Sequence, residues 1–201
     1  MSRKTDTIQP DYFEDKYQSD IDPWQFRTSA YEREKYATTI GALGQKRYAK
    51  ALEIGCSIGV LTGLLAKRCD AVVAIDASPT AIAAARQAGI ENASFLTGTV
   101  PQDFPAGRFD LIVLSEVLYY FAAPDLARLA SLCMTALQPG GEIILCHWLG
   151  ETDYPLTGQA ASDLFAQAVN VRLPARALLR DEVYRLERFS QTPPAAAGAG
   201  E

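Results

Sequence analysis

The segment Ala51-Leu-Glu-Ile-Gly-Cys-Ser-Ile-Gly-Val-Leu-Thr62 restricts the fold of this chain more than any other stretch. An apolar run ends at Ile54, glycine follows at Gly55, and Gly59 precedes a second apolar stretch of helical character. A chain that leaves a buried strand and enters a helix within so few residues needs backbone conformations that glycine adopts without a Cβ penalty. The same turn leaves the unpaired N–H groups of a helix start above the strand end. In open α/β sheets, ligands bind there. On its own the turn is equally well explained as a tight connection.

From Ala49 onward, short β-rich runs alternate with alanine-rich helical stretches. The pattern predicts strands at Ala51–Ile54, Val72–Ile75, Ser94–Thr97, Leu111–Leu114 and Glu142–His147. It predicts helices at Val60–Arg68, Thr80–Ala88 and Asp125–Leu137. That order implies the α/β class, a Rossmann-like, doubly wound and mainly parallel sheet. Leu111–Leu114 shows no polar alternation, as a central strand covered on both faces requires. Beyond Gly150 the expected elements are a helix at Gly158–Val169 and extended segments at Val171–Leu173 and Val183–Phe189. The chain's 201 residues suit one such domain rather than two.

The first 48 residues read differently, being rich in aromatic and mixed charged side chains. Helices are expected at Pro10–Tyr17 and Ser29–Leu43, separated at Asp22-Pro23-Trp24, where Pro23 breaks helical continuity. The expected division is a helical lid segment at 1–48, the ligand-binding domain at 49–190, and a disordered tail at 191–201.

A net charge of −5 and a pI near 5.0 argue against an electrostatic nucleic-acid footprint. Apolar runs are strand-sized, too short to span a bilayer, and the N-terminus lacks the apolar core of a secretory signal. Cys56, Cys69, Cys133 and Cys146 show no metal-ligand spacing, and His147 is the only histidine. No metal is expected, and buried reduced thiols fit a cytoplasmic protein without an obligate protein partner.

Asp76 ends the second expected strand, 21 residues after Gly55. A carboxylate there accepts hydrogen bonds from ribose hydroxyls. The competing role, capping the helix that starts near Pro79, is better filled by Ser78. Thr99 offers a hydroxyl after the third strand, where many comparable enzymes place an acid for an adenine amine. Ser57 and Leu61 stand near the second and third glycine positions of a dinucleotide fingerprint, a poor fit to a pyrophosphate. Leu137-Gln-Pro-Gly-Gly-Glu142 is a turn into a further strand.

Across roughly Lys50–Trp148 these features resemble the class I S-adenosylmethionine (SAM) methyltransferases. The resemblance implies SAM as cofactor and S-adenosylhomocysteine (SAH) as product. The implied cofactor set is Tyr31, Glu53, Gly55, Cys56, Ser57, Gly59, Asp76, Ala77, Thr99, Val100 and Ser115. Asp22-Pro23-Trp24, Tyr31-Glu-Arg-Glu-Lys35, Leu114-Ser-Glu-Val-Leu-Tyr-Tyr120, His147-Trp148 and Tyr154-Pro-Leu-Thr-Gly158 further resemble the NodS family of rhizobial nodulation methyltransferases. That resemblance implies N-methylation of the deacetylated non-reducing-end glucosamine of a chitooligosaccharide, a step of Nod factor biosynthesis. A departure from it is Ser162, where relatives often carry histidine.

For such chemistry Glu116 and His147 are the candidate catalytic residues, each at the end of an expected strand. Glu116 has a competing role as a helix cap or ribose ligand, and His147 as a satisfied strand-end histidine. Trp24, Tyr119, Tyr120, Trp148 and Tyr154 are the candidate substrate-stacking residues. The [Asn/Asp]-Pro-Pro-[Tyr/Phe] signature of DNA amino-methyltransferases is absent, since Ser115-Glu-Val-Leu118 stands there. Another small amine or hydroxyl acceptor is the alternative substrate, and a non-catalytic SAM-binding protein the alternative class.

Overall fold

A computed structural model describes residues 3–180 and 182–191. The glycine turn leaves strand β1 (Tyr48–Ile54), which lies near the middle of a seven-stranded sheet. The others are β2 (Cys69–Asp76), β3 (Ala93–Thr97), β4 (Phe109–Ser115), β5 (Leu137–Trp148), β6 (Ala175–Arg180) and β7 (Tyr184–Ser190). Their order is β3-β2-β1-β4-β5-β7-β6. The first five run parallel, while β7 pairs antiparallel with both β5 and β6. Strand order reverses between β1 and β4, where Ile54 sits opposite Leu114. That reversal opens a crevice at the carboxyl ends of the strands.

Among the described residues, six α-helices cover the two faces: α1 (Pro10–Ser19), α2 (Ala30–Gly41), α3 (Val60–Ala66), α4 (Pro79–Gln87), α5 (Ala123–Ala136) and α6 (Gly158–Val169). The uninterrupted apolar run of β4 serves both. Ile112 and Leu114 pack into the core with α5 and α6, while Leu111 and Val113 pack into the opposite one with α2, α3 and α4. Side chains alternate across a strand, so a strand covered twice has no polar position to spare. Helix starts are set locally: the Ser29, Ser78 and Thr157 hydroxyls accept from Glu32, Ala81 and Ala160 N–H.

Several expected boundaries move by two or three residues, and two elements differ more. β5 starts at Leu137, which pairs with Phe109 before the chain bulges and resumes with Glu142 opposite Leu111. Gly140 supports that bulge at φ +78°. Val171–Leu173 is not extended: Arg172 and Leu173 N–H both turn back to the Val169 carbonyl. The strand in this region is β6 instead, beginning just past Pro174, which cannot continue the helix. The expected disordered tail falls mostly on residues 192–201, outside those described.

Helix α1 is fastened to the start of α4 by one carboxylate. Glu14 accepts from the Ser78 hydroxyl at 2.6 Å, the Thr80 hydroxyl at 2.6 Å and the Thr80 N–H at 3.2 Å. Against the upward push of desolvation, bonds from Ser78, Thr80 and Gln18 hold its carboxyl down to about 2. Among the described residues no helix is long and apolar enough to cross a membrane.

Candidate active site

A cleft of about 1130 Å³ lies at the carboxyl ends of β1, β2, β4 and β5, with α1 and α2 contributing to its walls. Its cofactor end is built around the glycine turn. Gly55 has φ +76°, and an added Cβ would lie 3.1 Å from the Val117 side chain, so both backbone and space demand glycine. The Gly55 and Cys56 N–H groups donate to the Ile75 carbonyl, which ties the turn to β2. Ser57, at φ +51°, donates its N–H to Asp76 Oδ2 at 2.8 Å. Its hydroxyl accepts from Tyr17 of α1 at 2.5 Å. Asp76 Oδ1 accepts from Ser78 N–H at 3.0 Å. Burial pushes the Asp76 carboxyl up, and N–H groups of Ser78, Ser57 and Ala77 pull it back. The Ser78 hydroxyl caps α4, so Asp76 is not needed for that.

Tyr31, Gly55, Ser57, Asp76, Ala77, Thr99, Val100 and Ser115 all line this cleft, and so do Glu116, Trp24, Tyr119, Tyr120, Trp148 and Tyr154. The Thr99 hydroxyl and N–H donate to the Asp103 carboxylate at 3.2 and 2.9 Å. An acid does lie beside the third strand end, four residues later than the position considered from the sequence.

The residues present fit SAM. Tyr31 Oη, Glu32 Oε2 and Ser115 Oγ are buried without a protein partner. They offer donors and acceptors to the charged amino-acid end. Asp76 would take the ribose, and Gly98–Val100 would border the adenine.

At the other end, Glu116 sits at φ +56°, with its N–H bonded to the Cys146 carbonyl at 2.8 Å. Its carboxylate accepts from Lys35 Nζ at 2.6 Å, from the Tyr119 hydroxyl at 2.9 Å and from Trp148 N–H at 2.9 Å. Lys35 is buried and also donates to Glu32 Oε1 at 2.9 Å. Burial alone would lower the Lys35 ammonium; the Glu116 and Glu32 carboxylates overcome it and push it above the ordinary lysine value. Tyr119 and Tyr154 stack with centroids 5.6 Å apart and planes 9° apart. Tyr120 meets both rings edge-on, and the Tyr12 and Tyr154 hydroxyls bond at 2.9 Å.

Four expected site residues do not reach the cleft. His147 is fully buried, and its Nε2 accepts from the Leu118 N–H at 3.1 Å. Desolvation drives its imidazole down to about 4, against the pull of Glu116. Buried, outside the cleft lining and bonded through Nε2, it does not face an acceptor in this structure. Cys56 packs its thiol into the core beside α2 and α3, with both backbone groups already bonded. Gly59 is the left-handed cap of α3, φ +81°, with Ala85 and Phe95 against it. Glu53 lies beneath the turn, its Oε2 accepting from the Thr62 hydroxyl at 2.5 Å. Ser162, which departs from the resemblance, is buried within α6 and does not line the cleft either.

Burial pushes the Glu53 carboxyl up to about 8. An acid raised on folding holds a proton that the unfolded chain has lost. Its contribution is therefore complete below the unfolded carboxylate pKa and declines as pH rises from about 4.5 to about 8. Glu53→Gln keeps an acceptor for Thr62 and removes the titration. Thermal melts should show the variant gaining stability relative to the parent across that window. Parallel curves would place the Glu53 pKa in the ordinary range.

Phe13, Tyr17, Glu32 and Lys35 also line the cleft and are not among the site residues expected from the sequence. Spacing held a signal for part of this, because Tyr31 and Lys35 stand one helical turn apart and Glu32 three residues before Lys35.

The model of the family described as nodulation protein S matches residues 9–146. Nodulation protein S of Sinorhizobium fredii is 34% identical over 129 residues, covering 61% of this chain and 59% of its own length. The Rhizobium tropici protein of the same name is 35% identical, over 61% of this chain and 53% of its own. The chain thus spans little more than half the length of these relatives. A crystal structure of a putative methyltransferase from Pseudomonas syringae is 37% identical and superposes with a TM-score of 0.71, covering 81% of this chain and 99% of that one. N-methyltransferase NodS from Bradyrhizobium japonicum WM9, in complex with SAH, shares the fold at a TM-score of 0.77 and 24% identity, covering 91% and 98%. The architecture is that of the class I SAM methyltransferases, and by its matched residues this chain belongs to the nodulation protein S (NodS) family.

Proposed function

We propose that the protein is a cytoplasmic SAM-dependent N-methyltransferase, whose acceptor is the free amine on the non-reducing-end glucosamine of a chitooligosaccharide. The observation that carries this reading is Glu116, a carboxylate at the mouth of β4 with stacked tyrosines beside it. A carboxylate has about four lone-pair sites, and three donors occupy Glu116, so one remains for an amine N–H. Tyr119, Tyr120 and Tyr154 line the cleft beside it, and Trp148, 38% exposed on the same wall, would present an aromatic face to a sugar. Bound SAM supplies an electrophilic methyl group, and transfer to a neutral amine yields the methylamine, SAH and one proton.

Three donors already hold Glu116 in place and His147 is out of reach, so Glu116 orients the nitrogen while water takes the proton. Positioning of this kind supplies a large part of the barrier reduction for a reactive electrophile. Incubation with methyl-labelled SAM and a panel of acceptors tests the assignment. Label should enter glucosamine-terminated oligomers well above their fully N-acetylated counterparts and above small metabolic amines. Equal or greater transfer to the small amines or to hydroxyl acceptors would overturn the sugar assignment.

The same reading makes residues 1–48 a lid over SAM. Tyr17 touches the glycine turn, Glu14 grips α4, and Asp22 accepts from Phe26 and Arg27 N–H to close the turn between helices. Hydrogen exchange across α1 and α2 should slow on SAH binding, as a lid closing over the ligand requires. Equal protection with and without ligand would make the segment a permanent cap.

A further inference from the structure

We propose that Lys35 is a positioning residue for methyl transfer: it aims Glu116 at the acceptor nitrogen and makes the acceptor site depend on the seating of α2. The inference rests on the reading of Glu116 as the carboxylate that receives the amine. A lysine three residues from a glutamate on one helix is ordinarily a solvated pair of little consequence. Here the lysine side chain is 2% exposed and reaches across the cleft to a residue far away in sequence. Its Nζ stands 2.6 Å from Glu116 Oε1, 2.9 Å from Glu32 Oε1 and 4.9 Å from the centre of the Tyr31 ring.

An ammonium is buried at such cost that it persists only between charged partners. The triad therefore gathers two carboxylates on one buried ammonium and holds that ammonium charged. It also fixes direction. Glu116 holds a backbone conformation that residues other than glycine rarely adopt. With Oε1 on Lys35, and Oε2 on Tyr119 and Trp148, the carboxylate plane has no freedom to turn.

The groups facing Glu116 are Tyr31, Glu32, Lys35 and Tyr36 from α2, Tyr119 and Tyr120 from the turn after β4, and Cys146 and His147 from β5. Burial keeps the tyrosines and the Cys146 thiol protonated and His147 neutral. Lys35 is thus the sole cation in that set. Without it, burial and the Glu116 charge, which already push the Glu32 carboxyl up, act on it unopposed.

The test compares Lys35→Met, Lys35→Arg and Glu116→Gln with the parent, on whichever acceptor the parent methylates. Lys35→Met should bind SAH within about threefold of the parent. Its kcat/KM for the acceptor should fall about 30-fold or more, and the acid limb of the pH–rate profile, which reports the acceptor amine, should move up by about one unit once the neighbouring cation is gone. Lys35→Arg, which keeps the charge, should return most of the rate and the parental limb. Parental acceptor kinetics and pH profile in Lys35→Met would overturn the proposal. So would an equal loss of SAH affinity, which would assign Lys35 to the cofactor site. Should the methionine variant fail to fold, Lys35→Gln keeps a donor without charge and is judged by the same outcomes. Parental kinetics in Glu116→Gln would instead sink the role of Glu116 itself. An impaired Glu116→Gln beside an unaffected Lys35→Met would sink only the role of Lys35.

Discussion

Replacing Asp76 with alanine should weaken SAH binding by about 2–4 kcal/mol, taking charge-assisted hydrogen bonds at about 1.5–3 kcal/mol each and allowing for non-additivity. The loss has two sources. A ribose diol loses its acceptor, and the Ser57 N–H, which Asp76 holds at 2.8 Å, loses the anchor that shapes the glycine turn. Asp76→Asn keeps an acceptor oxygen without the charge, so its loss should be smaller. Calorimetry with SAH, beside a melting curve for each variant, separates affinity from folding. Affinity unchanged in both variants would remove Asp76 from the cofactor site.

Glu116→Gln should cut turnover on the order of a hundredfold, the cost of misplacing the acceptor nitrogen, while SAH affinity changes little. The amide cannot satisfy all three donors, because its NH2 must face either Lys35 or the Tyr119 and Trp148 pair. The remaining acceptor site for the substrate then loses both its charge and its aim. His147→Gln provides the contrast. Its imidazole is buried and held down to about 4, so it has no ionisation to lend near neutral pH. The rise of rate with pH should keep its parental midpoint in that variant, because the midpoint reports the acceptor amine. A flattened rise would reinstate His147 as a base. Parental turnover in Glu116→Gln would leave catalysis to proximity alone.

The parts of this fold visible in the sequence are those in which local chemistry and tertiary packing agree. The glycine turn, the apolar run of β4 and the serine before α4 each demand one conformation for local reasons, and the sheet uses the same conformation. Strand β6 escaped because Ala175-Arg-Ala-Leu-Leu-Arg180 carries little β-preference, and its pairing with β7 is a long-range matter. The site divides in the same way. Asp76 and Glu116 were legible because strand ends face the crevice. His147 also ends a strand, yet alternation turns its side chain inward while its neighbour Trp148 stays on the cleft wall. Nothing in the one-dimensional pattern of β5 decided which of the two would face the ligand. Glu14, Tyr17 and Lys35 were hidden for another reason. Their partners Ser78, Ser57 and Glu116 are distant in sequence and meet them only once α1 and α2 lie against the sheet.

The position of the transferred methyl group tests the account most directly. A partly deacetylated chitin tetramer or pentamer, incubated with the protein and SAM, can be sequenced by fragment-ion mass spectrometry. Cleft, carboxylate and aromatic wall together predict a product heavier by one methylene, with the added mass carried by the nitrogen of the non-reducing-end sugar. Mass added to a hydroxyl or to an internal residue would contradict the placement of that amine at Glu116. No added mass, in a sample shown by calorimetry to bind SAH, would contradict the sugar as acceptor altogether.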